Sequence, residues 1–265
     1  MPGVQIDPND EIIQLRHLRK SFWTTEGEQQ VLQDVSLNIH RGETMVIIGG
    51  SGGGKSVILK HMIGLLQPDG GEVVVDGKVI STPDYFDAAT IRRKMGMLFQ
   101  MGALFDSMSV GENIAFALRE HNPGIPEESV EEIIARLLGM INLNPAFATK
   151  MPSELSGGMK KRVSLARTLA VEPEIVLYDE PTTGLDPITA DVINDLIIDT
   201  QHQFNVTSVV VTHDMVSAFK VADRIAMLYQ GHIIFVGTPD QVRTTHNPYV
   251  QQFVRGQRKL EAVPA

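Results

Sequence analysis

Between Val35 and His40 apolar and polar side chains alternate, with Val35, Leu37 and Ile39 on one side and Ser36, Asn38 and His40 on the other. That period of two predicts a strand with one buried and one wet face, and the first forty residues as a whole read as strands. Thr44 to Ile48 is a continuous apolar run rich in β-branched residues, which predicts a buried strand. Val57, Ile58, Leu59, Met62, Ile63, Leu65 and Leu66 then recur at helical spacing. Glu72 to Val75 and Lys78 to Ile80 flank Asp76-Gly77, a pair suited to a tight hairpin turn because both positions tolerate positive φ. Antiparallel strands are thus expected around the strand and helix at residues 44–66.

The texture changes from about Met101 to Thr168. Val130, Ile133, Ile134, Leu137 and Leu138 repeat at three-to-four spacing between Pro123-Gly124 and Asn144-Pro145, the mark of a helical insertion. Beyond it, apolar strands at Ile175 to Tyr178 and Ser208 to Val211 enclose a helical stretch near Val192 to Ile198, the alternation of a parallel α/β sheet. Ile225 to Tyr229 and Ile233 to Val236 form a hairpin about Gln230-Gly231. Thr238-Pro239-Asp240 reads as an N-cap with proline in the first helical position. In the last segment Tyr249, Val250, Phe253 and Val254 share one helical face after Asn247-Pro248, and Gly256 precedes the charged end QRKLEAVPA.

Composition narrows the function classes. The 265 residues are 43% hydrophobic and 21% charged, ordinary for a globular protein with one sizeable core or two unequal ones. No apolar run approaches the roughly 18 residues of a membrane span, and the start MPGVQIDPNDE has neither a basic region nor an apolar signal core. The expectation is a chain that is not secreted and does not itself cross a bilayer. With no cysteine, disulfides and thiolate metal sites are excluded. A net charge of -9 argues against nucleic acid as a partner and against direct docking on anionic lipid.

Chemistry enters at Gly49 to Ser56, GGSGGGKS, with five glycines in eight residues. Each glycine loses more backbone entropy on folding than other residues, so an ordered run of them needs an offsetting gain. Placed between a strand and a helix, G-x-x-x-x-G-K-[ST] supplies one: bare N–H groups close around phosphate oxygens at a helix N-terminus. Gly49, Ser51, Gly52, Gly53, Gly54 and Val57 would surround the nucleotide, Lys55 would reach the terminal phosphates, and the Ser56 hydroxyl would hold Mg²⁺. A phosphate loop alone leaves kinases, GTPases, helicases and transport ATPases open.

Two later stretches decide among these. Ile175-Val176-Leu177-Tyr178 runs into Asp179-Glu180-Pro181, two carboxylates at the C-terminal end of a strand, where α/β folds bind ligands. Asp179 would support Mg²⁺ and Glu180 would polarise an attacking water. Leu155-Ser156-Gly157-Gly158-Met159 opens a helix whose apolar stripe is Val163, Ala166, Leu169 and Ala170. Lys160, Lys161 and Arg162 add positive charge in its first turn, where a helix dipole favours anions, so this helix start looks like a second anion site.

LSGG before such an acidic strand, in a chain with a phosphate loop, resembles the ATP-binding subunits of ABC (ATP-binding cassette) transporters over nearly the whole chain. The resemblance implies an α/β P-loop NTPase fold of the ABC ATPase type: a RecA-like core with antiparallel β strands over residues 1–100 and 169–246, a helical subdomain over 101–168, and a C-terminal helix and tail over 247–265. It implies ATP and Mg²⁺ as ligands. Gln100 resembles the Q-loop glutamine that senses metal and water, Asp186 the D-loop residue that meets an opposite subunit, and His213 the switch histidine at the γ-phosphate. Phe22, or next to it Trp23, resembles the aromatic that stacks on adenine. In this family Ser156, Gly157 and Gly158 act on the nucleotide held by the other subunit, so one complete motif set implies a homodimer.

Several departures travel together: Gly50 replaces a usual proline, Val57 a threonine or serine, and Met159 the glutamine of LSGGQ. With LFQMGALFDSMSV, LREH and MPSELSGGMKKR they resemble the ATPase of Mla-type, or toluene-tolerance, phospholipid transporters. That resemblance implies an inner-membrane permease, a periplasmic lipid-binding protein with a mammalian-cell-entry (MCE) domain, a small STAS-domain protein, and a peripheral place on the cytoplasmic side of the inner membrane. The work implied is phospholipid movement between two membranes, which maintains outer-membrane asymmetry. The alternatives are an ABC ATPase for another substrate or a soluble one acting on nucleic acid or ribosomes, and for the latter the negative charge and short insertion are wrong. The last helix is expected to pack either on a neighbouring subunit or on its own core.

Overall fold

A computed structural model describes residues 7, 10–81 and 93–256. The chain divides into two compact units, one containing residues 93–210 and the other residues 7–81 with 211–256. The end QRKLEAVPA lies outside the described residues, as does most of the segment before Asp10.

The second of these units is built on a sheet in the order β5 (Lys78–Val79), β4 (Gly70–Val75), β1 (Glu11–Thr24), β2 (Gly27–His40), β10 (His232–Gly237), β9 (Arg224–Tyr229) and β3 (Thr44–Ile48). β1 (Glu11–Thr24) and β2 (Gly27–His40) form a long antiparallel hairpin, and β4 (Gly70–Val75) pairs antiparallel with β1. The alternation holds: Val35, Leu37 and Ile39 are buried while Ser36 and Asn38 are exposed. β4 turns into β5 (Lys78–Val79) through Asp76 and Gly77, with φ of 50° and 72°, the left-handed pair that such a tight turn requires.

β3 (Thr44–Ile48) is buried at every position and pairs in parallel with β9 (Arg224–Tyr229). The strand before the glycine run is therefore not flanked by antiparallel partners alone, because a buried β-branched run suits a parallel ladder. β9 and β10 (His232–Gly237) make the expected antiparallel hairpin. α1 (Lys55–Met62) buries Ile58, Leu59 and Met62, but it ends before Leu65 and Leu66. Gly64, with φ of 70°, breaks it, and Leu65 is left half exposed. α6 (Met215–Val221) packs on β3, and α7 (Pro239–Thr244) starts with a full capping box at Thr238 and Gln241. α8 (Pro248–Val254) lies against its own unit: Val250 is fully buried, Tyr249 meets Tyr229 with ring centroids 4.7 Å apart, and the Gln251 amide donates to the Arg243 and Thr245 carbonyls.

The other unit carries β6 (Met95–Leu98), β7 (Ile175–Asp179) and β8 (Thr207–Thr212) as far as Val210, with β6 and β7 parallel. Its helical portion holds α2 (Val110–His121), capped by Ser109 and Glu112, and α3 (Glu127–Met140), which buries Val130, Leu137 and Leu138. α4 (Gly157–Leu169) buries the expected Val163, Ala166 and Leu169, and α5 (Pro187–Phe204) follows β7. α4 comes so close to β6 that a side chain at Gly96 would stand inside Thr168.

Candidate functional site

The glycine run forms a turn between β3 and α1, and its glycines do different jobs. A Cβ at Gly49 would meet the Leu228 carbonyl oxygen at 2.5 Å, and one at Gly54 would meet Val31 Cγ1 at 2.9 Å. These two positions let the loop lie against β9 and β2. Gly52 sits at φ 74° with open space around it, a conformation that other residues rarely adopt.

Gly54 is the N-cap of α1 without any side-chain capping bond, and no acidic residue stands in the first turn. With no cap side chain and no carboxylate of its own first turn, the helix start presents its dipole, which favours an anion. Lys55 is buried and its ammonium lies over the loop, donating to the Gly49 and Gly50 carbonyls at 2.9 and 3.0 Å. Ser51 is exposed, while Ser56 and Val57 are half-buried at the start of the helix. Bare amides, a helix dipole and a positive side chain together fit a nucleotide phosphate chain.

Beside the loop is a pocket of about 320 Å³ lined by Gln29, Gln30, Val31, Gln33, Gly52, Gly53, Gln230 and Gly231. Phe22 is the cross-strand partner of Gln29, is half-buried, and carries the Lys20 ammonium 5.6 Å from its ring centroid. Trp23 pairs with Glu28 and is 83% exposed. Of the two aromatics Phe22 is the less exposed. His213 follows β8 in an exposed bend, and Asp214 behind it caps α6 through the Val216 and Ser217 amides.

In the unit of residues 93–210, β7 delivers Asp179 and Glu180, both buried, to its C-terminal end. Glu180 has a φ of 49°, and its carboxylate accepts from the Thr183 hydroxyl at 2.9 Å. Gln100 is exposed in the turn after β6. That turn is fastened to α4, since the Ser164 hydroxyl and Arg167 guanidinium donate to the Gly102 carbonyl and Arg167 also reaches Ala103.

Ser156 is the N-cap of α4, accepting from the Met159 amide. Gly157 is exposed, with Leu185 Cδ2 at 3.8 Å from where its Cβ would be, whereas Gly158 is buried against Thr189. Asp186 caps α5, accepting from the Ile188 and Thr189 amides and from the Thr189 hydroxyl at 2.6 Å. Those bonds, the Thr189 hydroxyl first, hold its carboxyl below the usual carboxylate range.

One expectation is corrected here. Lys161 and Arg162 do not reinforce an anion site at the start of α4. The Lys161 ammonium is buried and donates to the carbonyls of Glu180, Pro181 and Thr183 at 3.3, 2.8 and 2.7 Å. Burial pushes its pKa down to about 8, against the opposing pull of the Glu180 charge. Arg162 donates to the Ile141 and Asn142 carbonyls. In both cases nearby backbone oxygens take the donors. Sequence reasoning missed Thr183 and Arg167, and for Lys161 it missed the partners. A signal for the last existed: Lys161 lies on one helical face with Gly158 and Leu165, a lysine within a buried stripe.

Comparison with known proteins shows the family. The family model described as "ABC transporter" matches residues 32–183. The chain is 40% identical over 251 residues to the probable ribonucleotide transport ATP-binding protein mkl of Mycobacterium leprae, covering 95% of this chain and 71% of that protein. It is 36% identical over 249 residues to the intermembrane phospholipid transport system ATP-binding protein MlaF of Haemophilus influenzae, covering 94% and 92%. Among solved structures, the dimeric post-hydrolysis state of the ATP-binding cassette MJ0796 bound to ADP and Pi superposes with a TM-score of 0.79 at 33% identity, covering 86% of this chain and 98% of that one. The chain therefore belongs to the ABC transporter family and is an ATP-hydrolysing, ATP-binding subunit of that family.

Proposed function

We propose that this ATPase works as a homodimer on the cytoplasmic face of an inner membrane, where it drives phospholipid transport between two membranes through a permease. The observation that carries the nucleotide part is the uncapped start of α1 behind Gly52, Gly54 and Lys55. Support for the lipid part is the likeness to MlaF over nearly the full length of both chains.

Gly49, Ser51, Gly52, Gly53, Gly54 and Val57 surround the triphosphate of ATP, Lys55 neutralises its end, and Phe22 stacks on the base. Ser56, Gln100 and Asp179 would hold Mg²⁺, which when bound neutralises charge on the phosphoryl oxygens. Glu180 polarises the water, held in place by Thr183, and His213 contacts the terminal phosphate. Ser156, Gly157 and Gly158 close on the nucleotide of the second copy, and Asp186 orders the chain facing it. A permease, a periplasmic MCE-domain protein and a small STAS-domain protein complete the assembly, and no nucleic acid takes part. The likeness to a relative named for ribonucleotide transport favours a second reading, the same ATPase on a transporter of another substrate.

The test is purification of the tagged chain from mild-detergent membranes of its host, with partners and lipids identified by mass spectrometry, beside the same preparation of Glu180→Gln. The expected result is a permease, an MCE-domain protein and co-purified phospholipid. Glu180→Gln should keep ATP binding and lose phosphate release by about 10²- to 10⁴-fold, the range for a positioned acid–base group. A permease without lipid-binding partners would overturn the phospholipid reading and leave the ATPase standing.

A further inference from the structure

We infer that Lys161 is a positioning residue for Glu180, holding the loop that presents this carboxylate. The inference rests on the proposed role of Glu180 in orienting the attacking water.

Glu180 occupies the left-handed region, at φ 49°, which non-glycine residues populate sparsely unless their surroundings impose it. Two devices impose it here. The Thr183 amide donates to the Glu180 carbonyl at 3.2 Å and the Thr183 hydroxyl donates to the Glu180 carboxylate at 2.9 Å, closing a short turn. Beneath that turn the carbonyls of Glu180, Pro181 and Thr183 converge on one point, the Lys161 ammonium. An ammonium has three donors and no acceptor, so three carbonyls from four consecutive residues match it one to one. Lys161 is 6% exposed, and water cannot readily replace it as the common partner.

Without those donors the Pro181 and Thr183 carbonyls lose this partner and the Glu180 carbonyl keeps the Thr183 amide, a loss in a largely buried space whose cost favours opening the turn. Opening releases Glu180 from its left-handed conformation and moves the carboxylate. The phosphate loop is made of other residues, 49–57, so nucleotide binding should not depend on Lys161. The same helix starts with Ser156 and Gly157, so one rigid element holds both the signature and the support of Glu180.

The experiment measures steady-state ATP hydrolysis and ATP binding in Lys161→Met, Glu180→Gln and the double variant, in the full-length chain. Expected for Lys161→Met is a fall in kcat of about 10- to 100-fold, the penalty of a misplaced catalytic group. ATP affinity and KM should stay within about twofold, the pattern of an interaction absent from ground-state binding. In the Glu180→Gln background, Lys161→Met should add less than about twofold, since groups acting as one unit are not additive.

The chain has no cysteine, so Lys161→Cys can be alkylated with 2-bromoethylamine in the unfolded state and refolded, which restores an ammonium at that point. Recovery of kcat on aminoethylation, and none with a mock-treated sample, is the positive result. If Lys161→Met fails to fold, Lys161→Gln, which retains two amide donors, carries the same kcat-against-KM comparison. An unchanged kcat in Lys161→Met, or an equal loss of ATP affinity, overturns the inference while a dead Glu180→Gln leaves the role of Glu180 intact. Full turnover in Glu180→Gln would remove that role, and the inference with it.

Discussion

Gly157 and Gly158 stand side by side in the LSGG stretch with opposite surroundings. Gly157 is exposed and a methyl group there would make ordinary contact, whereas one at Gly158 would stand inside Thr189 Cγ2. Thr189 cannot turn aside without giving up the bond from its hydroxyl to Asp186. Gly158→Ala is therefore expected to destabilise the fold by about 1–3 kcal/mol, as overpacking does, and Gly157→Ala by less than about 0.5 kcal/mol, as at an open surface position. Urea unfolding of the two variants measures the difference, and equal midpoints would contradict the packing role. If signature contacts act on a second copy's nucleotide, Gly157→Ala should still depress hydrolysis despite its intact stability. A four-residue motif thus divides into one glycine that packing requires and one left at the surface.

Secondary-structure elements here are tied to one another by side chains that donate to backbone oxygens. α4 does so repeatedly within its unit, through Lys161 to the loop after β7, Arg162 to the end of α3, Ser164 with Arg167 to the turn after Gln100, and Thr168 to Met97 of β6. α5 begins at a cap instead. Asp186 accepts from two amides there, so Asp186→Ala should lower the thermal unfolding midpoint, because an N-cap carboxylate satisfies donors that the helix cannot. Asp186→Asn keeps the amide oxygen and should restore most of that loss. A low midpoint in both variants would show that charge, not capping, is what the position requires. The boundary of α1 is set by the same local chemistry. The apolar repeat runs on to Leu66, but Gly64 in the left-handed region ends the helix first.

For the whole molecule, stability should depend on pH through His61. Its imidazole is 1% exposed on α1, with Nδ1 2.7 Å from the Val57 carbonyl and with Lys20 and Asp69 as the charged groups facing it. Burial, the largest cause, pushes its pKa below the usual histidine range. Below pH 6.5 the unfolded chain takes up a proton that the folded one refuses, so this contribution is full above 6.5 and is lost as pH falls toward the depressed folded value. Urea midpoints measured from about pH 7.5 down to about 5.5, a window that brackets the ordinary histidine pKa, should fall less steeply in His61→Gln than in the parent. Parallel curves would rule out this source.

Much of the molecule is legible in the order of its residues. Strands, the helical insertion, both hairpin turns and the order of the phosphate loop, LSGG and acidic strand end follow from periodicity, turn residues and spacing, which are local properties of the chain. Those local patterns determine which elements form, and the family shows in the resemblance of the motifs they carry. Where the donors of Lys161 and Arg162 go was decided only by tertiary structure, since their acceptors lie 19 to 22 residues away in sequence. So were the deeper burial of Phe22 beside the exposed Trp23 and the unequal surroundings of Gly157 and Gly158. A charge at a helix start attracts an anion only if no nearer oxygen takes its protons, and that depends on which loop the fold lays beside it.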